Sequence, residues 1–486
     1  MIVRVRNLRL HVDEDETLLL TRAAEKLQIT AERIQELTLV RKAVDARRRE
    51  VFFNYTIDVQ LRKDTRLPRS FFNNPELSVV EPEEDLTLTE GSLPLTNSPV
   101  VIGMGPCGLF CALLLAQHGY RPILLERGRE IEQRVRDVAE FWEQGRLNPE
   151  SNVQYGEGGA GAFSDGKLTT RIGDRRVDQV LKQLVAMGAP AEITYTKHPH
   201  VGTDHLRGIV KNIRTEIIRL GGQVYFNARL TGLIKDQGRL QALIINDELT
   251  VPAQAAVLAV GHSARDVYRM LNQMEISLLP KGFAMGVRVE HPQAMIDENQ
   301  YGQYAGHPRL GPAGYQITYQ DNDSGRNVYS FCMCPGGYVI ASASAPGQVV
   351  TNGMSYHERG SGIANSALVV TVNPGDWDET PLGGMEWQER LERAAFIAGG
   401  GNYHAPVQKV ADFLAKQPTK DLAGLNTTYR PGVTPSDFWE VLPGELTEPL
   451  ARAFKDFERK LPGFAGDNAV LTGVETRTSS PVRIER

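Results

Sequence analysis

Residues 100–127 read VVIGMGPCGLFCALLLAQHGYRPILLER, and this stretch decides the fold. It predicts a buried strand, a tight turn, a helix and a second strand that ends at an acidic residue. Gly103 permits the sharp turn, Gly105 lets a pyrophosphate approach the backbone, and Gly108 brings the helix close to the sheet. The N–H groups at the start of the helix then face the phosphates of a dinucleotide.

Glu126 stands at the tip of the second strand, eighteen residues beyond Gly108. At this distance a carboxylate can accept hydrogen bonds from both ribose hydroxyls. The alternative is a glycine turn in an ordinary α/β domain. Because the strand, the helix and the spaced acid occur together, we favour a dinucleotide site.

A second glycine-rich stretch, GEGGAGAFSDG, occupies residues 156–166. Its glycine density weakens any regular element, and close approach of the backbone to a flat or phosphorylated ligand explains it, with a flexible surface loop as the alternative. Residues 255–263, AAVLAVGHS, predict a buried strand that ends in another glycine turn. There Ser263 is placed to cap the helix that follows.

The composition describes a globular chain of 486 residues, long enough for two or three domains. The net charge of −5 gives no global reason to expect nucleic acid or an anionic membrane as a partner, and no apolar run reaches the length of a membrane helix. The N-terminus does not resemble a signal peptide. Four cysteines in so long a chain predict a reducing, cytoplasmic location.

Periodicity divides the chain into four segments. They are a small α+β domain at 1–70, an acidic linker at 71–98, a dinucleotide-binding domain at 99–280 that resumes near 465–486, and a β-rich substrate or cap domain at 281–464. The expected strands include 3–12, 51–61, 230–234, 240–245, 283–290, 315–319, 328–333, 338–342 and 368–372. The expected helices include 17–27, 385–398, 406–414 and 444–460.

A local basic run occurs near the N-terminus. Its members are Arg41, Lys42, Arg47, Arg48 and Arg49. The run might contact RNA or a phosphorylated partner, but a solvated turn between strands is the interpretation we favour.

Several motifs together resemble a family of bacterial FAD-dependent dehydrogenases. They are VIGMGPCGLF at 101–110, LERG at 125–128, GEGGAGAFSDGKL at 156–168, VGHSARD at 260–266, CMCPGG at 332–337, NGMS at 352–355 and ETRTSSP at 475–481. The resemblance covers nearly the whole chain and implies FAD rather than NAD. It implies an α/β fold with a glutathione-reductase-type, Rossmann-like FAD-binding domain, a β-rich substrate domain and a small N-terminal α+β domain.

The resemblance also assigns residues to parts of the cofactor. Glu126 would hold the adenosine ribose, the second glycine loop would follow the ribityl chain and isoalloxazine, and the strand near Leu230 would offer backbone groups to adenine. The expected cofactor-binding residues are Gly103, Gly105, Pro106, Cys107, Gly108, Glu126, Arg127, Gly158, Gly159, Gly161, Ser164, Asp165, Gly166, Lys167, Leu230 and Gly261. Members of the family continue past the TSSP strand into a glycine-rich turn and a final helix, whereas this sequence stops at Arg486.

The expected reaction is hydride transfer between flavin N5 and a small organic substrate. A single dinucleotide unit leaves NAD(P)H as a transient electron donor only. No residue is marked as the acid or base, and the weak candidates are His262, Cys334, Asn352 and Arg477. Cys332 and Cys334 form a C-x-C pair, for which packed thiols are favoured over redox activity.

We expect no metal, because His198, His200 and His205 lack a metal-ligand pattern. The substrate, oligomeric state and electron donor remain open. Two other functions are an RNA-modifying flavoprotein, which the negative charge disfavours, and a non-catalytic flavin redox sensor.

Overall fold

The computed structural model describes residues 1–47, 49–81, 91–170 and 172–485. Arg48 of the basic run, residues 82–90 of the predicted linker, and Arg486 lie outside the described residues. None of the described helices is both long and apolar enough to cross a membrane.

The described strands and helices alternate along the chain. The strands are β1 (Ile2–His11), β2 (Ile34–Asp45), β3 (Phe52–Leu61), β4 (Leu77–Val79), β5 (Val100–Ile102), β6 (Ile123–Leu125), β7 (Gln223–Tyr225), β8 (Leu230–Asp236), β9 (Arg239–Ile245), β10 (Leu249–Pro252), β11 (Ala256–Leu258), β12 (Leu278–Pro280), β13 (Phe283–Pro292), β14 (Thr318–Asp321), β15 (Arg326–Cys334), β16 (Tyr338–Ala341), β17 (Thr351–Met354), β18 (Ile363–Val372), β19 (Ala405–Lys409), β20 (Val433–Pro435), β21 (Val470–Glu475) and β22 (Val482–Ile484). The helices are α1 (Leu18–Leu27), α2 (Arg69–Phe72), α3 (Pro106–Gln117), α4 (Ile131–Gln144), α5 (Arg176–Ala186), α6 (Thr203–Arg219), α7 (Arg265–Gln273), α8 (Gln293–Tyr301), α9 (Gly383–Ala398), α10 (Val410–Leu414), α11 (Phe438–Val441) and α12 (Gly444–Lys460).

The chain forms two compact units, each built from three segments. The first contains Met1–Ser92, Lys167–Val201 and Asp297–Ala313, and the second contains Leu93–Gly166, Gly202–Ile296 and Gly314–Arg486. The predicted domain boundaries stay predictions.

The first unit contains an antiparallel sheet with the strand order β2-β3-β1-β4. Every second residue of β3 is buried, so the period of two predicted for residues 51–61 is confirmed. Helix α1 buries Leu19, Ala23 and Leu27 at helical spacing. In the basic run, Lys42 pairs with Glu16 at 2.6 Å.

The second unit begins with a parallel sheet in the order β11-β5-β6-β7. Helix α3 connects β5 to β6, as residues 100–127 predict. The predicted hairpin of β8 and β9 is confirmed, and β10 extends it to three strands. Because β5 and β11 are adjacent and parallel, the turns that follow them meet at one edge of the sheet.

The remainder of the second unit is organised by a seven-stranded sheet in the order β14-β15-β18-β13-β21-β19-β20. Strands β13 and β18 pair over ten residues, and β21 lies beside β13 with all six residues buried. The helix predicted at 406–414 is wrong in its first half, because residues 405–409 pair with β20 and β21 before α10 begins. Strand β14 likewise begins at Thr318 rather than at residue 315.

His291 near the end of β13 makes the stability of the protein depend on pH. Its ring is 1% exposed, and its Nε2 lies 2.8 Å from the carbonyl oxygen of Phe464. Burial lowers the pKa of His291 to about 4, so the folded protein keeps the ring neutral below the pH at which the unfolded chain protonates it.

We expect the free energy of unfolding to fall as the pH drops from about 7 to about 5, with His291 accounting for about 2 kcal/mol of the decrease. The folded pKa is the lower one, so this contribution is complete above the unfolded pKa and is lost as the pH approaches the folded value. Urea titrations at several pH values measure this slope. His291→Gln should flatten it, whereas His118→Gln, at an exposed position, should leave it unchanged; equal slopes in both variants would contradict the assignment.

Candidate functional site

A cleft of about 440 Å³ lies at the carboxyl ends of β5, β6 and β11. Its volume falls in the range of small-molecule and cofactor sites. It is lined by Ile102, Gly103, Met104, Gly105, Pro106, Cys107, Leu125, Glu126, Arg127, Gln154, Tyr155, Gly159, Ala160, Gly161, Ala228, Arg229, Leu230, Leu258, Ala259, Val260, Gly261, His262, Ser263, Ala264 and Val267.

The first glycine turn has a different spatial requirement at each position. Gly103 has a φ of +99°, and a Cβ there would lie 2.4 Å from the Ala259 carbonyl oxygen. A Cβ on Gly108 would lie 1.8 Å from the Gly103 carbonyl oxygen. At Gly105 the nearest atom to such a Cβ is the Gly159 Cα at 3.9 Å, so the missing side chain leaves space that a ligand can occupy.

Helix α3 begins at Pro106, beside the cleft. Gly105 is its N-cap, and no side chain of the described residues caps it. The first N–H groups of a helix and the positive end of its dipole favour an anionic ligand. Gly105, Pro106 and Cys107 therefore offer a phosphate group a backbone surface.

Glu126 is buried and accepts three backbone hydrogen bonds. Its Oε2 accepts from the Met104 N–H at 2.7 Å, and its Oε1 accepts from the N–H groups of Gly128 and Gly156 at 2.8 and 2.9 Å. A carboxylate has about four acceptor positions, so one remains, on Oε2. Glu126 thus connects the glycine turn, its own strand tip and the second glycine loop, a role that sequence spacing alone did not indicate.

Arg127 and Tyr155 form one wall of the cleft. The guanidinium carbon of Arg127 lies 4.1 Å from the centroid of the Tyr155 ring. Glu150 and Asp266 hold the two ends of the guanidinium at 2.9 and 3.0 Å. The cation and the ring therefore form a fixed, flat surface beside Leu230.

The second glycine loop packs directly against the first. Gly159 has a φ of +57°, and a Cβ there would lie 2.8 Å from the Cα of Gly105. The Gly158 N–H donates to the Met104 carbonyl at 2.9 Å. The loop therefore needs glycine for backbone-to-backbone contact as well as for access to a ligand.

Arg134 of α4 supports the second glycine loop from below. It is fully buried, and it donates to the carbonyl oxygens of Asn152, Val153 and Glu157 at 2.6 to 2.9 Å. Burial lowers the pKa of Arg134 to about 9. Sequence reasoning missed this residue, since an arginine on an amphipathic helix ordinarily faces solvent.

The later part of the second glycine loop lies outside the cleft lining. Ser164 donates to the Gly161 carbonyl at 2.8 Å, and the Gly166 N–H donates to Ser164 at 3.0 Å. Asp165 accepts hydrogen bonds from Ser355 and from Arg359.

Lys167, also expected to bind cofactor, belongs to the first unit, where it forms a β-bridge with His200. The other cofactor-binding candidates line the cleft, apart from Gly108 and Gly158, which shape its glycine turns.

His262 follows Gly261 at the end of β11 and lines the cleft. Burial, followed by the positive charges of Arg477 and Arg265, lowers the pKa of His262 to about 4. The imidazole is therefore neutral at pH 7. In this form one ring nitrogen donates a hydrogen bond and the other accepts one.

The expected capping role of Ser263 is wrong. Helix α7 begins at Arg265 with Ala264 as its N-cap and has no side-chain cap bond. The Ser263 hydroxyl instead donates to Gln154 at 3.0 Å and accepts from Arg477 at 3.2 Å. These two partners keep the hydroxyl away from the N–H groups of the helix.

A buried charge cluster lies behind His262 and Ser263. Glu392 is 0% exposed, and each of its oxygens accepts from both Arg265 and Arg477 at 2.8 to 3.0 Å. Thr476 also donates to Glu392 at 2.7 Å. Arg477 was a sequence candidate, but Glu392 and Arg265 give no local signal because distant segments bring them together.

Cys334 and Asn352 do not line the cleft. Cys334 ends β15 and Asn352 lies in β17, where its side-chain oxygen accepts from the Gly353 N–H at 2.8 Å. Among the described residues no group of three or more His, Cys, Asp or Glu side chains could hold a metal ion.

Two parts of the chain match known families. Residues 282–478 match the family described as FAD-dependent protein, C-terminal domain-like, and residues 1–60 match a domain of unknown function. A Clostridium beijerinckii protein described as uncharacterized is 46% identical over 488 residues, which cover 100% of this chain and 91% of that protein.

Solved structures give more distant similarities. Thermovibrio ammonificans THI4 is 20% identical over 37% of this chain and 64% of its own, with a TM-score of 0.26. Bacillus halodurans glycerol-3-phosphate dehydrogenase, complexed with FAD, is 12% identical over 58% of this chain and 48% of its own, with a TM-score of 0.29. The chain thus spans less than two thirds of the length of either structure. The family match at residues 282–478 supports an FAD-dependent flavoprotein.

We expect Glu392→Gln to destabilise the protein by about 3–5 kcal/mol, because it leaves two buried guanidinium groups without their shared carboxylate. Urea titration at pH 7 measures this change. The control is Glu389→Gln, whose carboxylate is 24% exposed and pairs with Arg269 at 2.6 Å, and which should cost less than about 1 kcal/mol. Equal losses in the two variants would show that Glu392 has no special role.

Proposed function

This chain belongs to the same family as the Clostridium beijerinckii protein, and we propose that it is an FAD-dependent oxidoreductase with a glutathione-reductase-type cofactor site. The proposed reaction moves a hydride between the flavin and a small organic substrate. NAD(P)H is the proposed external electron donor and docks only transiently. The four cysteines in 486 residues favour the reducing cytoplasm as the place of action.

The open position at Gly105 is the single observation that carries the proposal. Its backbone is extended, with a φ of −72°, so the conformation itself does not require glycine. The protein leaves the Cβ position unfilled, beside the uncapped start of α3 and inside the cleft. A pyrophosphate pressed against the backbone explains why no side chain occupies this space.

The lining residues suit the parts of a dinucleotide. The remaining acceptor position on Glu126 fits a ribose hydroxyl, and the Arg127–Tyr155 surface beside Leu230 fits an adenine ring. Neutral His262 offers one hydrogen-bond donor and one acceptor at the other wall. The bound flavin would supply the hydride chemistry, whereas these residues bind it, orient it and exclude water.

We expect Gly105→Ala to lower FAD affinity at least about tenfold without changing stability. The new methyl fits against Gly159 at ordinary van der Waals distance but occupies the space assigned to the pyrophosphate. Flavin absorbance of the purified protein and fluorescence titration with FAD measure the effect. Gly208→Ala in α6, which adds a methyl in open space, is the matched control. FAD binding equal to wild type in Gly105→Ala would refute the assigned site.

Anaerobic mixing of the FAD-loaded protein with NADH or NADPH separates an enzyme from a redox sensor. Rapid bleaching of the flavin band is the result expected of an oxidoreductase with an external donor. A flavin that stays oxidised with both donors and with a panel of organic substrates would favour the sensor.

A further inference from the structure

Strand β15 ends in a bulge that carries two cysteines. Its register against β18 shifts between Phe331 and Cys334. Cys332, inside this bulge, has a φ of +45°, a left-handed conformation that costs a residue with a side chain about 1–3 kcal/mol. Such strain persists only where the surroundings impose it, and it commonly marks a functional position.

A buried cation lies beside the bulge. Arg288 of β13 is 0% exposed and donates to both oxygens of Glu475, at 3.0 and 3.1 Å. Its Nη1 also donates to the Asn365 side-chain oxygen at 2.7 Å and to the Cys332 carbonyl at 3.4 Å. The guanidinium is therefore fixed by four hydrogen bonds, and one of them reaches the strained residue.

Arg288 and the Cys334 thiol converge on one point, the position that a Cβ of Gly353 would take. The Arg288 Nη1 lies 2.2 Å from that point, and the Cys334 Sγ lies 2.8 Å from it. Burial lowers the pKa of Arg288, and Glu475 together with both thiols raises it above its ordinary value. A fixed cation next to a thiol favours the thiolate.

Asn365 provides a second donor in the same place. Its Nδ2 is buried and has no hydrogen-bond partner among the described residues. It lies 3.3 Å from the position a Cβ of Gly337 would take, and the Cys334 Cβ lies 2.9 Å from that position. A buried donor without a partner is costly, and a sulfur anion nearby would satisfy it.

We propose that Cys332 and Cys334 form a redox-active dithiol whose substrate is the disulfide of a small thiol. Cys332 is half-buried and can meet such a molecule, whereas Cys334 is fully buried next to Arg288. The two cysteines thus have the different exposures that an attacking thiol and a resolving thiol need. Arg288 is a positioning residue that stabilises the Cys334 thiolate.

The exchange has two balanced steps. The Cys332 thiolate attacks one sulfur of the small disulfide, forming a mixed disulfide and releasing one small thiol. The Cys334 thiolate then attacks the Cys332 sulfur, forming the Cys332–Cys334 disulfide and releasing the second small thiol. The cysteine pair loses two electrons to the small disulfide, and its two protons end on the two released thiols. FAD takes no part, so the proposal goes beyond the function above.

The test equilibrates the purified full-length protein in buffers of reduced and oxidised glutathione, alkylates the remaining thiols and maps peptides by mass spectrometry. We expect the peptide containing Cys332 and Cys334 to lose both alkylation sites and two hydrogen masses together, along one two-electron titration curve. The peptide staying fully alkylated at every ratio would overturn the proposal. So would glutathione remaining attached to Cys332 in the wild-type protein. Because the readout is thiol mass, it is unaffected if FAD fails to bind.

Single variants separate the two thiols. Cys334→Ser should trap one glutathione on Cys332, because the resolving thiol is gone, and Cys332→Ser should leave Cys334 without glutathione. Cys111→Ser in α3 is the control and should form the Cys332–Cys334 disulfide as the wild type does. Circular dichroism checks that each variant folds. Cys334→Ser without a trapped adduct, in a folded protein, would overturn the proposed order of attack.

Discussion

The cleft depends on the carboxylate of Glu126. It accepts N–H groups from three segments, at Met104, Gly128 and Gly156, and so joins the first glycine turn, the tip of β6 and the second glycine loop. Hydrogen bonds to an ionised acceptor are among the stronger ones, and burial strengthens them further. Contact between Gly105 and Gly159 follows from this joint, because the carboxylate draws both glycine segments to one strand end.

Positive charge behind the cleft is balanced only in part, and this imbalance defines its second wall. Glu392 serves two buried guanidinium groups at once, so one positive charge remains between Arg265 and Arg477. Ser263 accepts from Arg477 and donates to Gln154, which places that polarity at the cleft surface. The same field keeps His262 neutral. The wall therefore offers donors to an electron-rich group without presenting an exposed cation.

Sequence reasoning located the features that depend on short-range order. The spacing of Gly103, Gly105 and Gly108 predicts the β5–α3 turn, and alternation predicts β1, β3 and the β8–β9 hairpin, since backbone geometry and strand period are local properties. The contacts of Glu392 and Arg288 were beyond its reach, because their partners come from distant segments. The first half of the 406–414 helix failed for a related reason: pairing with β21 outweighed local helical spacing.

Strand β21 connects the cleft to the cysteine bulge. Three consecutive residues at its end divide their side chains between the two clusters. Glu475 binds Arg288 and accepts from Thr351, whereas Thr476 and Arg477 bind Glu392. Residues in one hydrogen-bonded network do not contribute independently to stability, so the two clusters are energetically coupled through the backbone of this strand. The cleft wall and the dithiol therefore share one structural support, although they are proposed to perform different chemistry.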